Sequence, residues 1–127
     1  MKILITGVDG FIGRALCTRL SLDGHIVAGL SNGAAQKGLS EFYSVDITDA
    51  DAVMRAVCEA KADLCIHLAA MVHADVAKDA EQKVRAVNVD GAKNVLDALE
   101  AAGTKKLIYF STAKVLADTT SEEGVDE

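Results

Sequence analysis

The chain has 127 residues, half of them apolar and a quarter charged, with a formal net charge of −6. That length fits one globular domain, and the acidic balance argues against a nucleic-acid partner, because phosphate-backbone binders present a basic face. No apolar run reaches the roughly 18 residues that a membrane span needs, and the chain opens on a strand rather than a charged and apolar leader, so a soluble, cytoplasmic protein with no membrane partner is expected.

In chain order, Lys2 to Gly13 reads K-I-L-I-T-G-V-D-G-F-I-G. Ile3, Leu4 and Ile5 predict a buried strand running into Gly7, Gly10 and Gly13. There the backbone can turn sharply, and a pyrophosphate can approach the N–H groups that open the next helix. Asp9 is an electrostatic oddity in such a loop, tolerable if its side chain points to solvent. Phe11 to Leu22 carries Ile12, Ala15, Leu16 and Leu20 at helical spacing and stops at Asp23-Gly24. Ile26 to Leu30 predicts a second strand, and the Gly, Ser, Asn and Ala of Ser31 to Ser40 a loop. Glu41 to Val45 is the third strand. Thr48 is expected to cap a helix over Asp49 to Ala60, with Asp49 and Asp51 in its first turn. Leu64 to Leu68 is a buried fourth strand, followed by a loop and a long helix from about Asp79 to Ala102 that Gly103 ends. Lys106 to Ser111 forms the fifth strand. Cys17, Cys58 and Cys65 sit in apolar patterns without C-x-x-C or metal spacing, and read as small buried hydrophobes.

Strands separated by helix-length segments imply right-handed crossovers and a parallel sheet covered on both faces. Ligands in doubly wound sheets sit outside the carboxyl ends of the strands, near the point where strand order reverses. All five predicted strands end in residues suited to that place: Thr6 and Gly7, then Ser31 and Asn32, then Asp46 and Ile47, then Leu68, Ala69 and Ala70, then Ser111 and Thr112.

The spacing G-x-x-G-x-x-G with Thr6 in front differs from the simple G-x-G-x-x-G fingerprint. It resembles the T-G-x-x-G-F-I-G signature of extended short-chain dehydrogenases/reductases, the NAD-dependent epimerase/dehydratase family that includes nucleotide-sugar epimerases. The resemblance implies an α/β, Rossmann-like doubly wound parallel sheet of about five strands, with a dinucleotide held over Gly7, Gly10, Phe11, Ile12 and Gly13. A tight turn without a ligand is the plain alternative. Asp46 begins D-I-T-D and resembles the family's acidic pair, where the aspartate accepts from the adenine amino group and the backbone at Ile47 meets the ring edge; helix capping is the competing role. His67 to Ala70 spell H-L-A-A, resembling the motif after the fourth strand, with Leu68, Ala69 and Ala70 leaving room for cofactor ribose and phosphate. His67 itself reads as a packed strand residue, and nothing pins His73.

On the long helix Val84, Asn88, Gly91 and Val95 share one stripe facing the sheet. Asn88, Val89, Asp90, Gly91 and Ala92 resemble N-V-x-G-T, whose asparagine supports the chain around the active site; Ala92 departs from the threonine, and a locally bonded amide is the alternative. Tyr109 to Ala117, Y-F-S-T-A-K-V-L-A, resembles S-S/T-x-x-V-Y-G. That match assigns to Thr112 the catalytic hydroxyl beside the reacting sugar hydroxyl, and makes Ser111 its neighbour in the pocket. Leu116 and Ala117 depart from the pattern, and both hydroxyls also fit ordinary strand ends.

Many NAD-using relatives carry an aspartate at the end of the second strand. Ser31 stands there instead, no arginine is nearby, and Lys37 is only a substitute, so NAD or NADP both remain open. Relatives oxidise a carbinol by hydride transfer while a tyrosine in Y-x-x-x-K acts as base. Here Tyr43 is followed at that spacing by Ile47, and Tyr109 by Ala113. The expectation is therefore an incomplete NAD(P)-binding domain over 1–127, truncated at its C-terminal side, without the substrate domain. A nucleotide sugar would be the substrate of the whole enzyme. A nonenzymatic dinucleotide-binding regulatory module and a related reductase are the alternatives. The apolar fifth strand, open at one edge, predicts self-association.

Overall fold

Alternate residues of a strand face opposite sides of a sheet, and the first strand already shows both faces to be apolar. The computed structural model describes residues 1–71 and 80–111. β1 (Lys2–Thr6), β2 (Ile26–Ser31), β3 (Glu41–Ser44), β4 (Leu64–His67) and β5 (Leu107–Tyr109) form one parallel sheet in the order β3-β2-β1-β4-β5. Ile3 and Ile5 join Val8, Val27 and Ile66 against Cys17 of helix α1 (Phe11–Leu22). Leu4 points the other way, into a cluster with Leu30, Cys65 and residues of α2 (Ala50–Ala60) and α4 (Ala92–Ala102). The sheet is thus covered on both faces, as the sequence pattern implies.

α1 leaves β1 toward one face, and α2 leads into β4 from the other, so the chain reverses direction beside β1. A crevice opens between such oppositely directed connections. The strand ends finish level there, because Thr6 pairs with Leu30 on one side and His67 on the other.

Local chemistry differs from the sequence expectation in several places. Asp49, not Thr48, caps α2, its carboxylate accepting from the Ala52 N–H at 2.9 Å. Thr48 instead donates its hydroxyl to Asp46 Oδ1 at 2.8 Å, so the nearer acceptor captures it. The predicted long helix is not continuous: α3 (Ala80–Arg85) passes into a π-helical turn over Ala86–Gly91 before α4. The wider turn is where Asn88 and Gly91 lie, and such bulges are frequent at functional sites. β4 ends one residue early, at His67, and β5 spans only Leu107–Tyr109. Cys17 and Cys65 are buried as expected, and burial pushes the Cys65 thiol up to about 12. Cys58 is exposed on α2, contrary to its apolar pattern. No helix among the described residues is long and apolar enough to cross a membrane.

Candidate functional site

The three glycines of the first turn meet three different demands. Gly7 takes a left-handed φ of +67°, and a Cβ there would stand 2.8 Å from Ala69 Cα and N, so only glycine lets β1 and the chain leaving β4 come this close. Gly13 lies under the loop, where a Cβ would overlap Gly7 O and fall 2.7 Å from Val8 Cα. Gly10 has an ordinary extended backbone, φ −70° and ψ 171°, and a Cβ there would meet only Gly7 O, at 3.3 Å. Its bareness keeps space open rather than relieving a clash. Gly10 is also the N-cap of α1, which has neither a side-chain cap nor an acidic residue in its first turn. The N–H groups of Phe11, Ile12 and Gly13 therefore lack intrahelical acceptors and carry the positive end of the helix dipole.

Thr6 ties this turn to the neighbouring strand. Its hydroxyl oxygen accepts from Leu68 N at 3.2 Å and Ala69 N at 3.3 Å, and its proton goes to His67 Nδ1, 2.8 Å away. With both lone pairs used, the hydroxyl donates, which fixes His67 as the Nε2-protonated neutral tautomer. Burial holds His67 below the ordinary imidazole range, and its ring stacks on Tyr109 at 5.2 Å. His67 is the packed strand residue that its sequence position suggests.

A cleft of about 340 Å³ runs over these strand ends. Gly7 and Gly10 line it from the first turn, Ser31 from β2, Asp46 and Ile47 from the loop after β3, and Leu68, Ala69 and Ala70 from the chain leaving β4. Eight of the residues picked out in the sequence thus converge. The others stand differently. Phe11 is 94% exposed and Ile12 46% exposed, so only their main-chain N–H groups face the turn. Gly13 is buried beneath the loop, and Ser111 is exposed at the end of the described chain, outside the cleft lining. Thr112 and His73 lie outside the described residues.

Asp46 sits in a tight turn of its own. The Thr48 N–H and hydroxyl, with the Asn32 amide, hold its carboxyl below the usual range. It remains charged at the cleft margin. Asn88 lies behind the wall: its Oδ1 accepts from Met71 N at 2.8 Å and its Nδ2 donates to Met71 O at 3.0 Å. A paired amide on both main-chain groups of one residue clamps the segment that carries Ala70 and Met71 into the cleft. Asn88→Ala is expected to cost about 1–3 kcal/mol by leaving those groups unpaired. Asn88→Asp, which can accept but not donate, should fall between. Urea denaturation reads both, and equal stability for all three proteins would contradict the clamp.

Asn32, named with Ser31 at the end of the second strand, lines the cleft too, whereas three lining residues were missed: Val45, Met71 and Val87. Their apolar side chains carry no sequence signal that distinguishes wall from core. Asp9, an electrostatic oddity in the sequence that is tolerable if its side chain points to solvent, lines the cleft instead. Its carboxylate reaches over to β2 and accepts from Ser31 Oγ at 2.5 Å.

A family model described as "NAD dependent epimerase/dehydratase family" matches residues 3–127. A UDP-glucose 4-epimerase of Mycolicibacterium smegmatis is 36% identical over 122 residues, which is 88% of this chain and 39% of that protein. The structure of a Thermus thermophilus UDP-glucose 4-epimerase in complex with NAD superposes with a TM-score of 0.76 at 34% identity, covering 84% of this chain and 36% of that one. The Bordetella bronchiseptica enzyme WbmG, in complex with NAD and UDP, gives 0.74 at 34% identity over 87% of this chain and 37% of its own. The chain spans about two-fifths or less of the length of these relatives.

Proposed function

The chain belongs to the NAD dependent epimerase/dehydratase family, and from that premise we propose that it is the dinucleotide-binding part of an enzyme acting by hydride transfer at the carbinol of a nucleotide sugar. The observation that carries this is the uncapped start of α1 beside a cleft that Gly10 leaves open. Oriented N–H groups at a helix start are suited to a diphosphate.

The residues fit the group. Gly7, Gly10 and the N–H groups of Phe11, Ile12 and Gly13 would hold the pyrophosphate, with Ser31 near the adenosine ribose, Asp46 and Ile47 at the adenine, and Leu68, Ala69 and Ala70 against the remaining ribose and phosphate. When bound, a nicotinamide dinucleotide supplies the hydride acceptor. Thr6 and Asn88 act as positioning residues: one fixes the chain after β4 against the glycine turn, the other fixes Met71. Thr112 is proposed to bind the reacting hydroxyl and Ser111 to flank it. No Y-x-x-x-K occurs in these 127 residues, so the base is not assigned within them.

Calorimetric titration with NAD and NADP tests the proposal. Binding of at least one is expected, and a folded protein that binds neither would refute it. We also propose self-association through β5, because Leu107 to Phe110 are 37–50% exposed and β5 pairs on one side only among the described residues. Size-exclusion elution of the 127-residue chain should shift toward a larger species with concentration; an unshifted monomer at high concentration speaks against it.

A further inference from the structure

The end of β2 lacks the acid that usually receives the adenosine ribose in such folds, yet the fold brings a carboxylate there from elsewhere. Asp9 leaves the glycine turn, and its Oδ1 accepts from Ser31 Oγ, whose residue is 5% exposed. Ser31 Oγ in turn accepts from Gly33 N at 2.9 Å, so the hydroxyl is held from both sides. Gly33 completes the corner: a Cβ on it would overlap Asp9 Oδ2, so glycine there is what admits the carboxylate. Asp9, Ser31, Asn32 and Asp46 all line the same cleft, and among the described residues its lining contains neither lysine nor arginine. Arg14, the nearest cation in sequence, donates its Nε to Asp9's own carbonyl oxygen at 2.7 Å and lines not this cleft but a second depression, shared by Asp9, Phe11 and Thr18.

We propose that Asp9 is the residue that selects a dinucleotide with a free ribose 2′-hydroxyl over its 2′-phosphorylated counterpart. This rests on the cofactor reading above. A carboxylate has about four lone-pair sites, and Ser31 is its only donor among the described residues, so acceptor capacity remains for a ribose hydroxyl. A phosphate in that place would face the carboxylates of Asp9 and Asp46 with no cation among the described lining residues, and unpaired like charges are what reject a wrong ligand. The selectivity lost at Ser31 is thereby restored by a residue 22 positions earlier in the chain.

The test is calorimetric titration of the protein with NAD and with NADP, alongside Asp9→Asn and Ser31→Ala, each checked for a cooperative thermal transition. Wild type should prefer NAD by about 100-fold or more, as expected for a like-charge clash. Asp9→Asn, which keeps the shape and removes the charge, should shrink the preference to about 10-fold or less, mainly by strengthening NADP. Ser31→Ala should shrink it partway, since Asp9 loses its tether. Should Asp9→Asn not fold, the salt series on wild type decides: added salt should strengthen NADP relative to NAD as the repulsion is screened. NAD binding with equal affinity for NADP, an unchanged ratio in Asp9→Asn, or a flat salt series would each overturn the assignment to Asp9 while leaving the cofactor site standing. Failure of folded wild type to bind either dinucleotide would take down the site itself.

Discussion

Valine at Gly13 is expected to cost the chain its stability, whereas valine at Gly10 is expected to cost only its ligand. At Gly13 the added Cβ overlaps Gly7 O and reaches Val8 Cα and O at 2.7 Å, all main-chain atoms that cannot rotate aside. Relief requires α1 to move away from β1, opening the cluster that holds Ile3, Ile5, Val8 and Cys17. A loss of about 3 kcal/mol or more is expected, at the upper end of overpacking effects. At Gly10 the Cβ touches only Gly7 O, at 3.3 Å, and the extended backbone suits any residue. The valine methyl groups then occupy the space in front of the free N–H groups. Dinucleotide affinity should fall about 100-fold or more, equivalent to roughly 2.7 kcal/mol, with the denaturation midpoint little changed. Paired calorimetry and urea melts separate the two effects. Equal destabilisation by both substitutions would remove the distinction, and undiminished binding by Gly10→Val would displace the diphosphate from this turn.

Leu4→Ala should destabilise the protein by about 2–5 kcal/mol without touching the cleft. Leu4 is fully buried in the central strand, and its register partners Ala28 and Cys65 are small and also fully buried. Neither can expand into the space left behind, and the rigid strands on both sides prevent collapse, so the upper half of that range is expected. Against a typical domain stability of roughly 5–15 kcal/mol the change is large. Urea denaturation should show a lower midpoint with an unchanged slope. A loss below about 1 kcal/mol would mean that the cluster between the sheet and helices α2 and α4 is not the chief core.

The sequence by itself determined the alternation of strands and helices, because the apolar periods of Ile3–Ile5, Phe11–Leu22 and Leu64–Leu68 are local. It also determined the turn after β1, because positive φ and close approach leave glycine as the sole choice at Gly7 and Gly13. Eight cleft residues were legible for the same reason: in a level parallel sheet, strand ends meet wherever the pattern puts them. Only the tertiary structure decided what Asp9 does. Its partner Ser31 stands on another strand, and no local rule says that a charge in a glycine turn will cross to it rather than face water. The same holds for the clamp between Asn88 and Met71 and for the π-helical turn that carries Asn88, where Gly91 lies close against Ile47 in a sequence that reads as one straight helix. Periodicity and glycine are written in neighbours along the chain, while a hydrogen bond between distant residues exists only after the sheet has set their distance.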